Sequence, residues 1–119
     1  MLIALHHIQL AMPQGGEPQA VAFYAGILGM TQVPKPAVLA GRGGVWFTAG
    51  PIRLHLGVET PFTPARKAHP AFEVPNLDLV IKHLKTAGIE TKADQDLPDI
   101  RRIYINDPFG NRIELLQRL

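Results

Sequence analysis

The stretch Ile52-Arg53-Leu54-His55-Leu56-Gly57-Val58 changes character at every residue. Side chains of a strand point alternately to its two faces. One face is therefore Ile52, Leu54, Leu56 and Val58, and the other is Arg53, His55 and Gly57. Near the end of the chain Arg112-Ile113-Glu114-Leu115-Leu116 repeats the pattern, with Ile113 and Leu115 inward and Arg112, Glu114 and Leu116 opposite. Each stretch is the second arm of a hairpin. Residues 44–48 lead into the first around Ala49-Gly50-Pro51, and residues 102–106 into the second around Asp107-Pro108-Phe109-Gly110.

Working outward, the same elements precede both hairpins. Residues 2–12 are strand-like and broken by Pro13-Gln14-Gly15-Gly16. Pro18 then suits a first helical turn, where its missing N–H has no partner. Val21, Tyr24, Ile27 and Leu28 follow at helical spacing, and Gly29 suits the left-handed residue past a helix end. In the second half residues 70–74 are strand-like and Asn76 is a good N-cap. Leu77, Val80, Ile81 and Leu84 make one helical face, which Gly88 closes. Short strands are expected at 30–33 and 89–92, and loops at 34–42 and 95–99. Gly29 and Gly88 are offset by 59 residues (88 less 29), as are His55 and Glu114 (114 less 55); His7 and His69 are offset by 62 (69 less 7). A near-constant shift through the whole order βαβββ marks an internal duplication. The expectation is one α+β domain over residues 1–119, made of two tandem modules, 1–58 and 69–119, with 59–68 as linker and the helices gathered on one face of the sheets.

Composition narrows the function. The 119 residues are 46% hydrophobic and 18% charged, as in a globular domain. The absence of cysteine excludes disulfide frameworks, thiolate zinc sites and thiol nucleophiles, and fits a reducing compartment. No apolar run approaches the ~20 residues of a membrane span, and no signal peptide is evident. The expected location is the cytoplasm, without a membrane partner. The net charge of +2 is dispersed, with Arg66-Lys67 and Arg101-Arg102 the nearest things to clusters, so no nucleic-acid partner is expected.

Strand phase gathers the chemistry. In the first strand Ile8, Leu10 and Met12 are the apolar face, leaving His7, Gln9 and Ala11 opposite. At the start of the second half Phe72 and Val74 are apolar, and His69, Ala71 and Glu73 take the other phase. His7, His55, His69 and Glu114 thus share the non-helix face of four strands. Imidazole nitrogen and carboxylate oxygen suit divalent zinc, nickel, cobalt, manganese or iron, and two histidines with one carboxylate leave positions open for substrate. A lone strand histidine is commonly a half-buried, hydrogen-bonded residue; the shared phase of four donors is the stronger signal. His6 falls in the opposite phase and reads as structural, and His83 reads as an exposed helix residue. Arg53 and Arg112 share the ligand phase and can grip a carboxylate or phosphate. Trp46 and Tyr104, from corresponding strands, and Gln9 complete the expected substrate-binding set, with the loops 34–42 and 94–102 as covers.

Leu5-His6-His7-Ile8-Gln9-Leu10, Ala22-Phe23-Tyr24-Ala25-Gly26-Ile27-Leu28-Gly29, His69-Pro70-Ala71-Phe72-Glu73-Val74 and Asp107-Pro108-Phe109-Gly110-Asn111-Arg112-Ile113-Glu114-Leu115 resemble the vicinal oxygen chelate superfamily over essentially the whole chain. That group includes glyoxalase I, extradiol dioxygenases, fosfomycin-resistance thiol transferases and metal-free bleomycin-resistance proteins. The resemblance implies a cup-shaped sheet and a homodimer with composite sites. It also implies metal ligands at His7, His69 and Glu114. His55 stands where glyoxalase-like members carry a further glutamate or glutamine ligand, so its role is open. Glu114 or Glu73 would be the general base. The function implied is a divalent-metal lyase, isomerase, ring-cleaving dioxygenase or thiol transferase that chelates neighbouring oxygens of a small substrate. The competing function is a metal-free protein that sequesters a drug or metabolite.

Overall fold

The computed structural model describes residues 1–119, which form two compact units, Met1–Pro64 and Ala65–Leu119. The first unit runs β1 (Ile8–Met12), α1 (Glu17–Ala20), β2 (Thr31–Val33), β3 (Val45–Ala49) and β4 (Ile52–Val58). The second runs β5 (Ala71–Glu73), α2 (Leu77–Thr86), β6 (Lys92–Ala93), β7 (Ile100–Asn106) and β8 (Arg112–Arg118). Both carry the order βαβββ, so the chain is α+β with two four-stranded sheets, ordered β1-β4-β3-β2 and β5-β8-β7-β6.

In each sheet the first strand lies parallel to the last, and the other neighbours are antiparallel. The closing strands β4 and β8 therefore hold interior positions. Gln9 and Trp46 flank His55 across β4; Ala71 and Tyr104 flank Glu114 across β8. The duplication read from spacing is thus also a duplication of register.

The apolar phases form the cores. In the first unit Leu10, Met12, Phe47, Leu54 and Leu56 pack with Phe23 and Tyr24 of the helix, and the Tyr24 and Phe47 rings lie 5.4 Å apart. In the second, Ile103, Ile105, Ile113 and Leu115 are buried with Leu77 and Leu84 of α2. Asn76 caps α2 by accepting the Leu79 N–H at 3.1 Å, and the Leu77 N–H donates to Gln117 Oε1 at 2.7 Å, tying the helix start to β8.

The first helix departs from its expected regular period. Pro18 does lie in its first turn, but the α-helix ends at Ala20 and Val21–Ile27 is wound as a π-helix, with the Leu28 N–H donating to Phe23 O at 2.9 Å. The wider turn buries the consecutive rings of Phe23 and Tyr24, an arrangement a 3.6-residue period does not register. The opening strand is also shorter than expected. Its ladder partners on β4 run from Leu54 to Val58, so residues 1–7 carry alternating side chains without a partner strand, and Met1, Leu2, Ile3 and Leu5 are largely exposed. The expected loop at 34–42 contains a 3₁₀ segment, Ala37–Arg42.

A buried polar knot closes the β7–β8 hairpin. Asp107 Oδ1 accepts the N–H groups of Phe109 and Asn111, both at 2.9 Å. Asp107 Oδ2 accepts from Asn111 Nδ2 at 2.9 Å, and Asn111 Oδ1 accepts the Ala65 N–H at 2.9 Å. Asn111 is fully buried, so each of these bonds replaces water that cannot reach it. Asn111→Ala is expected to destabilise the protein by about 2–4 kcal/mol, because it removes the acceptor of the Ala65 N–H and a buried donor to Asp107. Urea unfolding followed by circular dichroism measures this, and an unchanged midpoint would contradict the knot's role.

Candidate functional site

In the first unit the non-helix face of β4 carries a stack of rings. The Trp46 indole lies on the His55 imidazole with centroids 3.8 Å apart and planes 3° apart. The His7 ring covers the other side at 4.3 Å and 21°. Thus sandwiched, His55 is only 8% exposed although it faces away from the core. Burial lowers the His55 pKa from the ordinary 6.5, and the neighbouring His7 and His6 lower it further.

His7 lies just ahead of β1, and its Nδ1 is 3.0 Å from Nδ1 of His6. One of these nitrogens donates to the other. When His7 donates, its Nε2 keeps a free lone pair, the form a metal ligand needs. His6, which strand phase assigns to the core side, is therefore the ring partner of His7, because both precede the ladder that would impose alternation. A concavity of about 550 Å³ opens here, lined by His7, Gln9, Leu39, Trp46, Arg53 and His55 among others. Pro34 and Leu39 bring the 34–42 segment to its wall. The Gln9 amide lies over Gly57, where any larger side chain would collide with it.

In the second unit the equivalent positions are polar and paired. Glu114, 6% exposed, has Oε1 at 3.0 Å from His69 Nε2. His69 sits just ahead of β5, and its Nδ1 is 2.7 Å from the Lys67 carbonyl oxygen. A carbonyl only accepts, so Nδ1 carries a proton and the lone pair of a neutral ring is on Nε2, facing the carboxylate. Two lone-pair sites do not approach to 3.0 Å unless a positive species sits with them: a proton shared by the pair, or a cation in its place.

Arg102 Nη1 stands 3.7 Å from Glu114 Oε1, while its Nη2 meets Asp94 Oδ2 at 3.3 Å and its Nε donates to Gln95 O at 3.2 Å. Arg102 shares the phase of Tyr104 and Glu114, but as a cation it is no metal ligand and strand phase alone does not single it out. The Tyr104 ring meets the edge of His69 at 5.2 Å, and the Arg112 guanidinium lies over it at 4.7 Å. Burial pushes the Tyr104 phenol up, with Arg102 partly offsetting it. Glu73 is held by Arg118 through bonds of 2.7 and 2.8 Å, and that donor lowers its carboxyl pKa.

The structure thus brings His7, Gln9, Trp46, Arg53 and His55 together in one unit, and His69, Tyr104, Arg112 and Glu114 together in the other. No group of three His, Cys, Asp or Glu side chains is placed to hold a metal ion. Each unit supplies a pair of donors whose chemistry fits a divalent cation. The fit is better in the second unit, where a backbone carbonyl fixes the ligating tautomer and a carboxylate stands beside it.

The model of the Glyoxalase/Bleomycin resistance protein/Dioxygenase superfamily matches residues 4–115, and the chain belongs to that superfamily. A solved protein of Bacillus anthracis assigned to the glyoxalase family is similar over 100% of this chain and 98% of its own, with 44% identity and a TM-score of 0.97. The genomically encoded fosfomycin resistance protein FosX of Listeria monocytogenes shares the fold at 19% identity and a TM-score of 0.79, over 100% and 96% of the two chains. A further FosX structure, with a TM-score of 0.78 and 19% identity over 100% and 93%, is a complex with Mn(II) and sulfate. TnmS3, an antibiotic binding protein from Streptomyces sp. CB03234, shares the fold at 20% identity and a TM-score of 0.77 over 100% of both chains. No curated protein sequence matches.

The ring stack has a direct signature. In protein stripped of metal by a chelator, the His55 imidazole is expected to titrate below the ordinary 6.5. Trp46→Ala is expected to bring it back toward that value by letting water reach the ring. Histidine side-chain NMR shifts followed from pH 8 to pH 4.5 test this; a His55 that titrates at or above the ordinary value would contradict the sandwich.

Proposed function

We propose that this protein is a divalent-metal-dependent enzyme of the glyoxalase kind, acting on a small oxygenated substrate that chelates the metal through neighbouring oxygens. The observation that carries the reading is His69, with Nδ1 donating to the Lys67 carbonyl and Nε2 turned to the Glu114 carboxylate. The proposed ligands are His7, His69 and Glu114, with His55 as a further candidate. Zinc, nickel, cobalt, manganese and iron all suit such a donor set.

When bound, the metal supplies Lewis acidity to oxygens that become negative during reaction. The remaining work falls to the chain. The Lys67 carbonyl holds His69 in one orientation and one tautomer. Arg102 stands near the same Glu114 oxygen that faces His69 and links it to residues 94–95. Glu114 is the candidate base for a substrate proton; Glu73, neutralised by Arg118, is the weaker one. Trp46 offers an aromatic wall, and Gln9, Tyr104, Arg53 and Arg112 offer polar contacts to a substrate. The reaction type, whether isomerisation, elimination, thiol addition or ring cleavage, depends on the metal and the substrate.

A homodimer with composite sites accompanies this reading. It is supported by the exposed apolar residues Met1, Leu2, Ile3 and Leu5, which a second copy would cover. The location that fits a cysteine-free chain is the cytoplasm. A second reading, a metal-free binder of a drug or metabolite, is favoured by the Trp46–His55 stack and the 550 Å³ concavity beside it, which suit a flat ring.

Elemental analysis separates the two. Purified protein is expected to hold about one divalent ion per chain, and His7→Ala, His69→Ala and Glu114→Ala each to lose it by at least tenfold in affinity. The variants should remain folded and dimeric by light scattering. Full metal occupancy in these variants would refute the ligand set, and a wild-type protein that takes up no divalent ion would favour the binder.

A further inference from the structure

We infer that the second unit contains an oxyanion subsite, formed by Lys92, Asn106 and Arg112 beside Tyr104, and that the substrate is a small molecule with a compact anionic group a few bonds from its metal-binding oxygens. The inference rests on the metal-enzyme reading for its role in catalysis, though not for the anion site itself. Lys92 lies opposite Tyr104 in the β6–β7 ladder, Asn106 lies opposite Arg112 in the β7–β8 ladder, and Tyr104 lies opposite Glu114. Alternation therefore sets Lys92, Tyr104, Asn106, Arg112 and Glu114 on one face of the sheet. The first four line a concavity of about 350 Å³, with Glu90 also at its wall.

The cations of this face divide sharply. Arg102 is held by Asp94 and Glu114, and Arg118 by Glu73. Lys92 and Arg112 enter no ion pair, with Glu90 or with any other carboxylate. Arg112 is nevertheless half-buried, and its guanidinium rests on the Tyr104 ring at 4.7 Å. A guanidinium stacked on an aromatic face keeps its N–H edge free for two parallel bonds to a carboxylate or phosphate oxygen pair. Lys92 adds a second positive charge and Asn106 a neutral donor. On β8, Arg112 and Glu114 are two residues apart, about 6.6 Å along the strand. An anionic head at Arg112 would leave the rest of a small molecule within reach of Glu114.

The test is calorimetric titration of chelator-stripped protein with inorganic phosphate and, separately, with acetate, in low-chloride buffer. Wild type is expected to bind at least one of them. Arg112→Gln and Lys92→Gln are each expected to weaken that binding about tenfold or more, and Lys82→Gln on α2 to leave it unchanged. Lys92 is exposed, so Lys92→Gln remains informative if Arg112→Gln folds poorly. Binding of phosphate alone would identify a phosphoryl or phosphonyl group, and binding of acetate a carboxylate. If neither anion binds, or binding ignores both substitutions, the subsite is refuted even where metal is retained. A protein that binds the anion through Arg112 and Lys92 yet takes up no divalent ion would uphold the subsite and remove the metal reading.

Discussion

The parallel pairing of each unit's first strand with its last is the constraint on which the rest depends. It places β4 and β8 in the interior of their sheets, each with a neighbour on both sides. A side chain on the open face of such a strand is flanked by residues of two other strands. This is why His55 has Gln9 and Trp46 beside it, and Glu114 has Ala71 and Tyr104. The histidines just ahead of β1 and β5 then meet those central residues from the side. Had the first strands paired elsewhere, His7 and His69 would have had no common geometry with the closing strands.

The two units use one scaffold for different physics. In the first, the central residue is an imidazole pressed between an indole and a second imidazole, and burial with the neighbouring histidines lowers its pKa from the ordinary value. In the second, it is a carboxylate facing a histidine whose tautomer a backbone carbonyl has set, with an arginine near the same oxygen. The first environment favours flat apolar groups, the second charge and protons. The fold is shared with an antibiotic binding protein and with a resistance protein solved with Mn(II), and a fold does not fix a function.

Some of the chain's most recognisable residues have structural duties. Asp107 and Asn111, prominent in the stretch that resembles the superfamily, form a buried hydrogen-bonded knot that fixes the turn before β8 and ties it to Ala65. They set where the strand that carries Arg112 and Glu114 begins. Gly57 acts similarly, since its missing side chain is the space in which the Gln9 amide lies.

The α+β class, the βαβββ order in both halves, the helix cap at Asn76 and the faces of β1, β4, β5 and β8 are all legible in the amino-acid order. These are local consequences of alternation, capping and turn chemistry, which act over a few residues and leave a periodic trace. Only the tertiary structure decided the contacts between distant segments. The His6–His7 bond arises where the ladder has ended and alternation no longer governs. The π-wound turns of the first helix answer to the packing of Phe23 and Tyr24 on the sheet. The pairing of Arg102 with Asp94 and Glu114, the capture of Glu73 by Arg118 and the unpaired state of Arg112 depend on which charges the folded sheet brings within reach. Long side chains choose partners by three-dimensional proximity, and one-dimensional spacing carries no record of that choice.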